Sequence, residues 1–442
     1  MPSSRITHSR QTHYSLLKQR YPLLKQSYPL HKQRYSSRKQ KTIKDMKKRI
    51  YPFLLLATMV CLASSCQSDL DRRAAAFEKA EAAFLDSIRN AGLEVVLVEN
   101  NAIVYNHCFG YKNVQSRTPL TPDCLFRIAS ISKSFTTTAL LQQVEQGRVL
   151  LDTDVSELAG FPIRNPRYPD TVITLEMLLS HTSSLNDSEG YFTLDAINPS
   201  VNPDYANAYN DYCPGCGYEY CNLNLNLAGS FLEKITGERF HEYIVGHILR
   251  PLGLYGGYMV DSLDASRFAS LYQLSEDGSG EYVCTDAEAY EPRTERFRDY
   301  RMGYDTPLFS PTGGMKISAP DLARYMMMHM NYGISPEGVR ILPEALAREM
   351  QRPRSADENY GLTLWTTDRY SPGDTLVGHT GDAYGMRSAM FFSPEKKFGF
   401  VVISTGSYEP MDPANLDPTG SDAADHNVLT RTLTLMYDHF IR

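Results

Sequence analysis

Within FRIASISKSF, a serine stands three positions before a lysine, at Ser130-Ile131-Ser132-Lys133. On a helix, residues at i and i+3 share a face, so the Lys133 ammonium would stand over the Ser130 hydroxyl. A helix N-terminus adds unpaired N–H groups and the positive end of the backbone dipole beside that serine. Burial would depress the lysine pKa, and the neutral amine could then take the hydroxyl proton to make a nucleophile. Spacing alone does not single this site out. The same S-x-x-K recurs at Ser15, Ser36 and Ser393, and a serine at this place also suits an N-cap.

The surrounding elements are legible as periodicity. Residues 67–90 have helical spacing and an Ala/Glu-rich composition, and LEVVLVENNAIVYNHCFGYKN reads as two strands joined at Glu99-Asn100-Asn101. Phe135 to Gln146 predicts the helix that follows Ser130. From about 150 to 300 the chain is rich in turns, Tyr, Asn and Pro, with helices expected at Leu175–Leu179 and Leu225–Ile235, the second closed by Thr236-Gly237. Asp321–Met330 predicts a helix whose methionine run suits core packing. Residues 375–406 predict three antiparallel strands, and Ala424–Ile441 a last helix. The expectation is an α/β fold: an antiparallel sheet flanked by helices, formed by 91–145 and 300–442. A mostly helical, loop-rich insertion over 146–299 would interrupt it.

The composition, 42% hydrophobic and 22% charged, is that of a globular protein. Charge is unevenly placed. Residues 1–50 hold fourteen of the 45 Lys+Arg and one acid, Asp45, so the remainder carries 31 basic against 50 acidic residues, a net −19. An acidic body argues against nucleic acid as a partner. In the basic start, Tyr14, Tyr21, Tyr28 and Tyr35 recur every seven residues, but Pro22 and Pro29 would break a coiled coil. Met46 then opens MKKRIYPFLLLATMVCLASSC, a charged, apolar, small-residue series that resembles a bacterial lipoprotein signal, with Cys66 as the lipidated residue. The apolar run is too short to span a bilayer. Residues 1–45 read as a misassigned or disordered extension, 46–65 as the signal peptide, and 66–90 as lipidation site, tether and helix. The protein would then sit at the cell envelope, anchored to a membrane. In that oxidising setting Cys108, Cys124, Cys213, Cys216, Cys221 and Cys284 could pair, with Cys108–Cys124 favoured across a hairpin-like segment. Zinc at Cys213-Pro214-Gly215-Cys216 is disfavoured, because no histidine lies nearby and no second C-x-x-C follows.

FRIASISKSF is followed in order by ITLEMLLSHTSSL, PGCGYEYCNLNLNLAGSFLEKITG, SPTGGMKISAPDLARYM, YGLTLW and GHTGDAYGMRSAMFFSPE. This series over about residues 90–440 resembles the serine β-lactamase-related family of class C β-lactamases, D-Ala-D-Ala carboxypeptidases and related esterases. The resemblance makes Ser130 the acylated nucleophile and Lys133 its base. It makes Tyr220-Cys221-Asn222 the Y-x-N motif, with Tyr220 shuttling protons and Asn222 donating to a substrate amide carbonyl. The third motif is His379-Thr380-Gly381, where class C β-lactamases carry Lys-Thr-Gly; histidine offers a substrate carboxylate a charge only when protonated. Backbone N–H groups of Ser130 and Asp382 would form the oxyanion hole. His181 reads as a packing or hydrogen-bonding residue, and Cys221 is unusual where serine is more common. The implied function is a serine hydrolase acting through an acyl-enzyme on a peptide or ester carbonyl. It would take a small-molecule or peptide substrate and need no metal or organic cofactor. A carboxylesterase or weak β-lactamase, and a non-catalytic binding lipoprotein, are the alternatives. The oligomeric state is left open.

Overall fold

The computed structural model describes residues 69–275, 279, 281–355, 358–406 and 428–442. The basic arm, the signal-like segment, Cys66 and the expected start of the last helix at 424–427 lie outside the described residues. Helix α1 (69–87) leads into strands β1 (Gly92–Glu99), β2 (Ala102–Asn113), β3 (Thr118–Pro119) and β4 (Phe126–Arg127), then helix α2 (Ser132–Glu145). The middle of the chain carries α3 (Val155–Ala159), α4 (Leu175–Leu179), α5 (Asn222–Thr236), α6 (Phe240–Ile244), β5 (Gly256–Gly257), β6 (Tyr272–Leu274), β7 (Tyr282–Cys284) and α7 (Asp286–Ala289). It ends with β8 (Lys316–Ile317), α8 (Ala319–Met330), α9 (Glu344–Gln351), β9 (Trp365–Thr367), β10 (Leu376–Ala383), β11 (Met386–Ser393), β12 (Phe398–Thr405) and α10 (Val428–Met436). The stretch 146–299 therefore contributes three short strands besides its helices.

The main sheet has seven strands in the order β3-β2-β1-β12-β11-β10-β9, each antiparallel to its neighbours. Asn100 and Asn101 close the first hairpin with φ of 49° and 66°, a conformation that asparagine tolerates and that matches strand twist. Strand β12 is buried along its whole length and β1 for all but its last residue, because both faces of the sheet are covered. On one face Phe77 of α1 lies 5.4 Å from Phe440 and 6.0 Å from Tyr105 of β2. On the other, α8 packs on β12 and β1, and its Met326, Met328 and Met330 are wholly buried. The methionine run is core, as its spacing predicts. Strand β9 pairs with β10 only from Leu376 to Gly378. The edge of His379–Ala383 therefore has no strand partner on that side among the described residues.

The expected Cys108–Cys124 disulfide is not formed: the six cysteines among the described residues are free thiols. Cys108 lies instead against the carboxyl of Glu94, its opposite number across β1 and β2. Glu94 is wholly buried and accepts an N–H from Asn106 at 3.1 Å. Burial raises its pKa to about 8, and that of buried Glu81 to about 7. The folded carboxyls keep protons that the unfolded chain surrenders in the ordinary glutamate range. Their stabilisation is fully present below that range and is lost as pH rises through the folded values. Thermal melts should show Tm declining from about pH 5 to 8, with a shallower decline in Glu94→Gln, which is neutral throughout. An identical slope in the variant would remove Glu94 as a source.

Candidate active site

Between β4 and α2 the chain makes one turn of 3-10 helix over Ala129–Ile131, entered through Ala129 at φ 44°. This left-handed value at a non-glycine residue marks local strain just before Ser130. The N-cap of α2 is Ile131, with no side-chain cap bond, so Ser130 is not spent on capping. Its hydroxyl instead accepts from Lys133 Nζ at 2.9 Å. Lys133 is wholly buried, and its ammonium also donates to Asn222 Oδ1 at 2.9 Å and to the Thr312 carbonyl at 3.0 Å. Desolvation lowers its pKa to about 7, against an opposing pull from Asp187. Near neutral pH the amine can lose its proton, and its lone pair then accepts from the Ser130 hydroxyl.

Three distant segments meet on this amine. Helix α5 supplies Asn222, whose Oδ1 also accepts from Thr312 Oγ1 at 3.0 Å. The 310–314 loop supplies Thr312, and it can approach because Gly229 of α5 has no side chain: a Cβ there would lie 2.4 Å from Pro311 Cγ. Asp187 fixes the start of α5 from outside it. Its carboxylate accepts the N–H groups of Asn222 and Leu223, both at 2.9 Å, and Asn222 Nδ2 at 3.0 Å. That last bond turns Asn222 Oδ1 toward Lys133. The Cys221 thiol also donates to Asp187, at 3.2 Å, so it stiffens the motif by a hydrogen bond and not by a disulfide. One N–H of Asn222 is thus used internally, leaving the second for the expected substrate carbonyl.

Tyr220 stands over the amine, with Lys133 Nζ 4.7 Å from its ring centroid and its hydroxyl in hydrogen-bond contact with Ser130. Although 36% of Tyr220 is exposed, its hydroxyl end is desolvated, which pushes the phenol above its ordinary range despite the Ser130 bond. It is therefore a neutral phenol and a donor, not a phenolate base. His181 packs its ring 4.4 Å from that of Tyr220 and accepts the Cys221 N–H at 3.2 Å. It orients the motif from behind.

His379 is buried, and desolvation lowers its pKa to about 3, reinforced by Lys133. Its Nδ1 faces the Thr380 carbonyl, which can only accept, so Nε2 is the acceptor and takes the Tyr360 hydroxyl at 2.9 Å. The residue that a substrate carboxylate would meet here is uncharged. Gly381 presses β10 against the nucleophile: a Cβ on it would lie 2.4 Å from the Ile128 carbonyl and 3.1 Å from Ser130 N. Ser130 and Asp382, the residue after Gly381, are thereby brought to the same cleft. Ser130, Tyr220, Asn222, His379, Thr380, Gly381 and Asp382 all line this opening, whose volume is about 950 Å³. Asp382 itself is exposed and pairs with Arg387 at 3.4 Å.

Asp187 and Thr312 complete the site and were not singled out from the sequence. The available signal is at the start of α5, whose N-cap Cys221 makes no side-chain cap bond, so the first N–H groups need an acceptor from elsewhere. Removing the Asp187 charge while keeping an acceptor, in Asp187→Asn, should lower the Lys133 pKa further. The pH midpoint for acylation by a fluorophosphonate should then move from about 7 to lower pH. An unchanged midpoint would show that Lys133 does not feel Asp187.

Residues 77–425 match the Beta-lactamase family. Penicillin-binding protein 4 of Amycolatopsis lactamdurans is 29% identical over 312 residues, covering 65% of this chain and 74% of that protein. The octameric penicillin-binding protein homologue from Pyrococcus abyssi has a similar structure, with a TM-score of 0.62 and 25% identity over 76% of this chain and 74% of that one. The D-amino acid amidase from Ochrobactrum anthropi SV3 shares the fold, with a TM-score of 0.60 and 22% identity over 82% of this chain and 99% of that one. With an antiparallel sheet flanked by helices and a match over most of its length, the chain belongs to the Beta-lactamase family.

Proposed function

We propose that this protein is a serine hydrolase that cleaves a peptide, amide or ester carbonyl through an acyl-enzyme. The observation that carries the reading is the buried amine of Lys133, held 2.9 Å from the Ser130 hydroxyl and brought to a pKa of about 7. Ser130 Oγ attacks the carbonyl carbon as Lys133 takes its proton. The oxyanion develops against the N–H groups of Ser130 and Asp382. Tyr220, a neutral phenol in contact with Ser130, passes a proton to the leaving group and is reprotonated from Lys133. Water then enters by the reverse relay and releases the acid. A purely ligand-binding role leaves the adjacent serine and depressed amine without a purpose.

Among hydrolases, a neutral His379 and an acidic Asp382 favour amide and ester substrates over a β-lactam carboxylate bound at this strand. The structural likeness to a D-amino acid amidase supports an amide or D-amino-acid peptide, and a carboxylesterase is the second reading. We place the enzyme at the cell envelope, tethered through Cys66, on the strength of the signal-like segment before it.

A fluorophosphonate should add its mass at Ser130 of the wild type and not to Ser130→Ala. Absence of any adduct, or equal labelling of the variant, would overturn the hydrolase reading. With penicillin, a lasting adduct identifies a peptidase-like enzyme and rapid release a β-lactamase. No penicillin adduct beside fluorophosphonate labelling identifies an esterase or amidase, to be separated on short esters and D-amino acid amides.

A further inference from the structure

Arg127 is a charged cleft residue for which the acylation network has no use. It sits on β4, three positions before Ser130, is 5% exposed and lines the same opening. Its hydrogen bonds are long: Nη1 to the Ala289 carbonyl at 3.3 Å and Nη2 to Ser310 Oγ at 3.4 Å, while Nε has no partner. The groups that favour its charge are the phenols of Tyr384, Tyr290, Tyr191 and Tyr258, and its guanidinium lies 5.0 Å from the Tyr384 ring. Arg293 adds further positive charge nearby, while Lys316, wholly buried, donates to the Tyr258 carbonyl at 2.9 Å and is held well below the ordinary lysine pKa by burial and by the Arg127 and Arg293 guanidinium groups. The carboxylate that reaches Lys316 is Asp261, which is taken by the N–H groups of Arg293 and Thr294 and by the Thr294 hydroxyl. Glu291, beside Arg293, is held by Arg296. Buried guanidinium groups are ordinarily matched by carboxylates, since an unanswered buried charge is costly.

The open edge of β10 gives the direction. Tyr220, which protonates the leaving group, stands at the His379 end, with ring centroids 6.1 Å apart. Arg127 stands at the other end, against Tyr384, and Ser130 N lies beside Gly381 between them. At strand rise, Gly381 to Ala383, where β10 ends, is roughly 7 Å, and Tyr384 follows in the turn. We propose that Arg127 binds a carboxylate carried on the acyl half of the substrate, remote from the carbonyl that Ser130 attacks. This rests on the acyl-enzyme reading above. The substrate is then an ω-carboxy acyl amide or ester, its free acid seated among the tyrosines around Arg127.

The test compares p-nitrophenyl hemiesters of glutarate and suberate with their methyl-capped diesters. Wild type should favour one hemiester by about tenfold or more in kcat/KM, the scale of one charge-assisted bidentate contact. That ratio should collapse in Arg127→Gln and be partly kept in Arg127→Lys. Because Arg127 is buried and its variants could misfold, wild type gives an independent reading: free suberate or glutarate should raise Tm at lower concentration than the corresponding diamide. No hemiester preference, or diacid and diamide acting equally on Tm, would overturn the proposal. Fluorophosphonate labelling reports the hydrolase reading separately. If it fails, the diacid-against-diamide comparison still decides whether Arg127 binds anions.

Discussion

The site depends on keeping one buried amine satisfied. An ammonium withdrawn from water and left without acceptors costs several kcal/mol, and Lys133 avoids this with acceptors from three parts of the chain: Ser130, Asn222 and Thr312. Each is delivered by a different element, so the 3-10 turn before helix α2, helix α5 and the 310–314 loop are tied together through the amine they share. The supports extend outward. Thr136 of α2 donates to the Pro311 carbonyl at 2.9 Å, Asn226 accepts the Thr312 N–H at 3.2 Å, and Asp187 seats the start of α5. Desolvation is thus the cost of the arrangement and also what lowers the amine's pKa to about 7.

Burial treats the ionisable groups of the cleft differently according to their type. It makes Lys133 a usable base, His379 a permanently neutral acceptor and Tyr220 a reluctant acid. All three shifts have desolvation as their largest cause, and together they strip charge from the reacting end. Fixed charge is concentrated elsewhere: on Asp382, at the surface beside Arg387, and on Arg127, under Tyr384. A molecule entering this cleft would meet dipoles around Ser130 and full charges at a distance.

Elements with a local cause were readable from sequence. The Asn100-Asn101 hairpin, the three strands over 375–406 and the Gly237 stop of α5 follow from turn chemistry and alternation, and the structure holds each. Contacts between distant segments were not. Asp187 acts on residues more than thirty positions away, so no window of sequence contains both partners. The charge of His379 could not be read either, because its residue type is compatible with both states and only burial decides. The cysteines show the converse failure. Cys108 and Cys124 lie near enough to sense one another electrostatically, yet Cys108 packs against a carboxyl and the bond is not made.

The edge of β10 beyond Gly378, which has no strand partner among the described residues, has a further consequence. An exposed sheet edge invites another chain to add as a strand, which is how many β proteins aggregate. Here the edge lines a cleft that Tyr218, Trp365 and Tyr384 also line. An extended segment needs less room beside such an edge than a folded sheet from a second molecule does. A recessed edge of this kind lowers the hazard of self-association, because strand addition needs room alongside the edge for a whole second sheet.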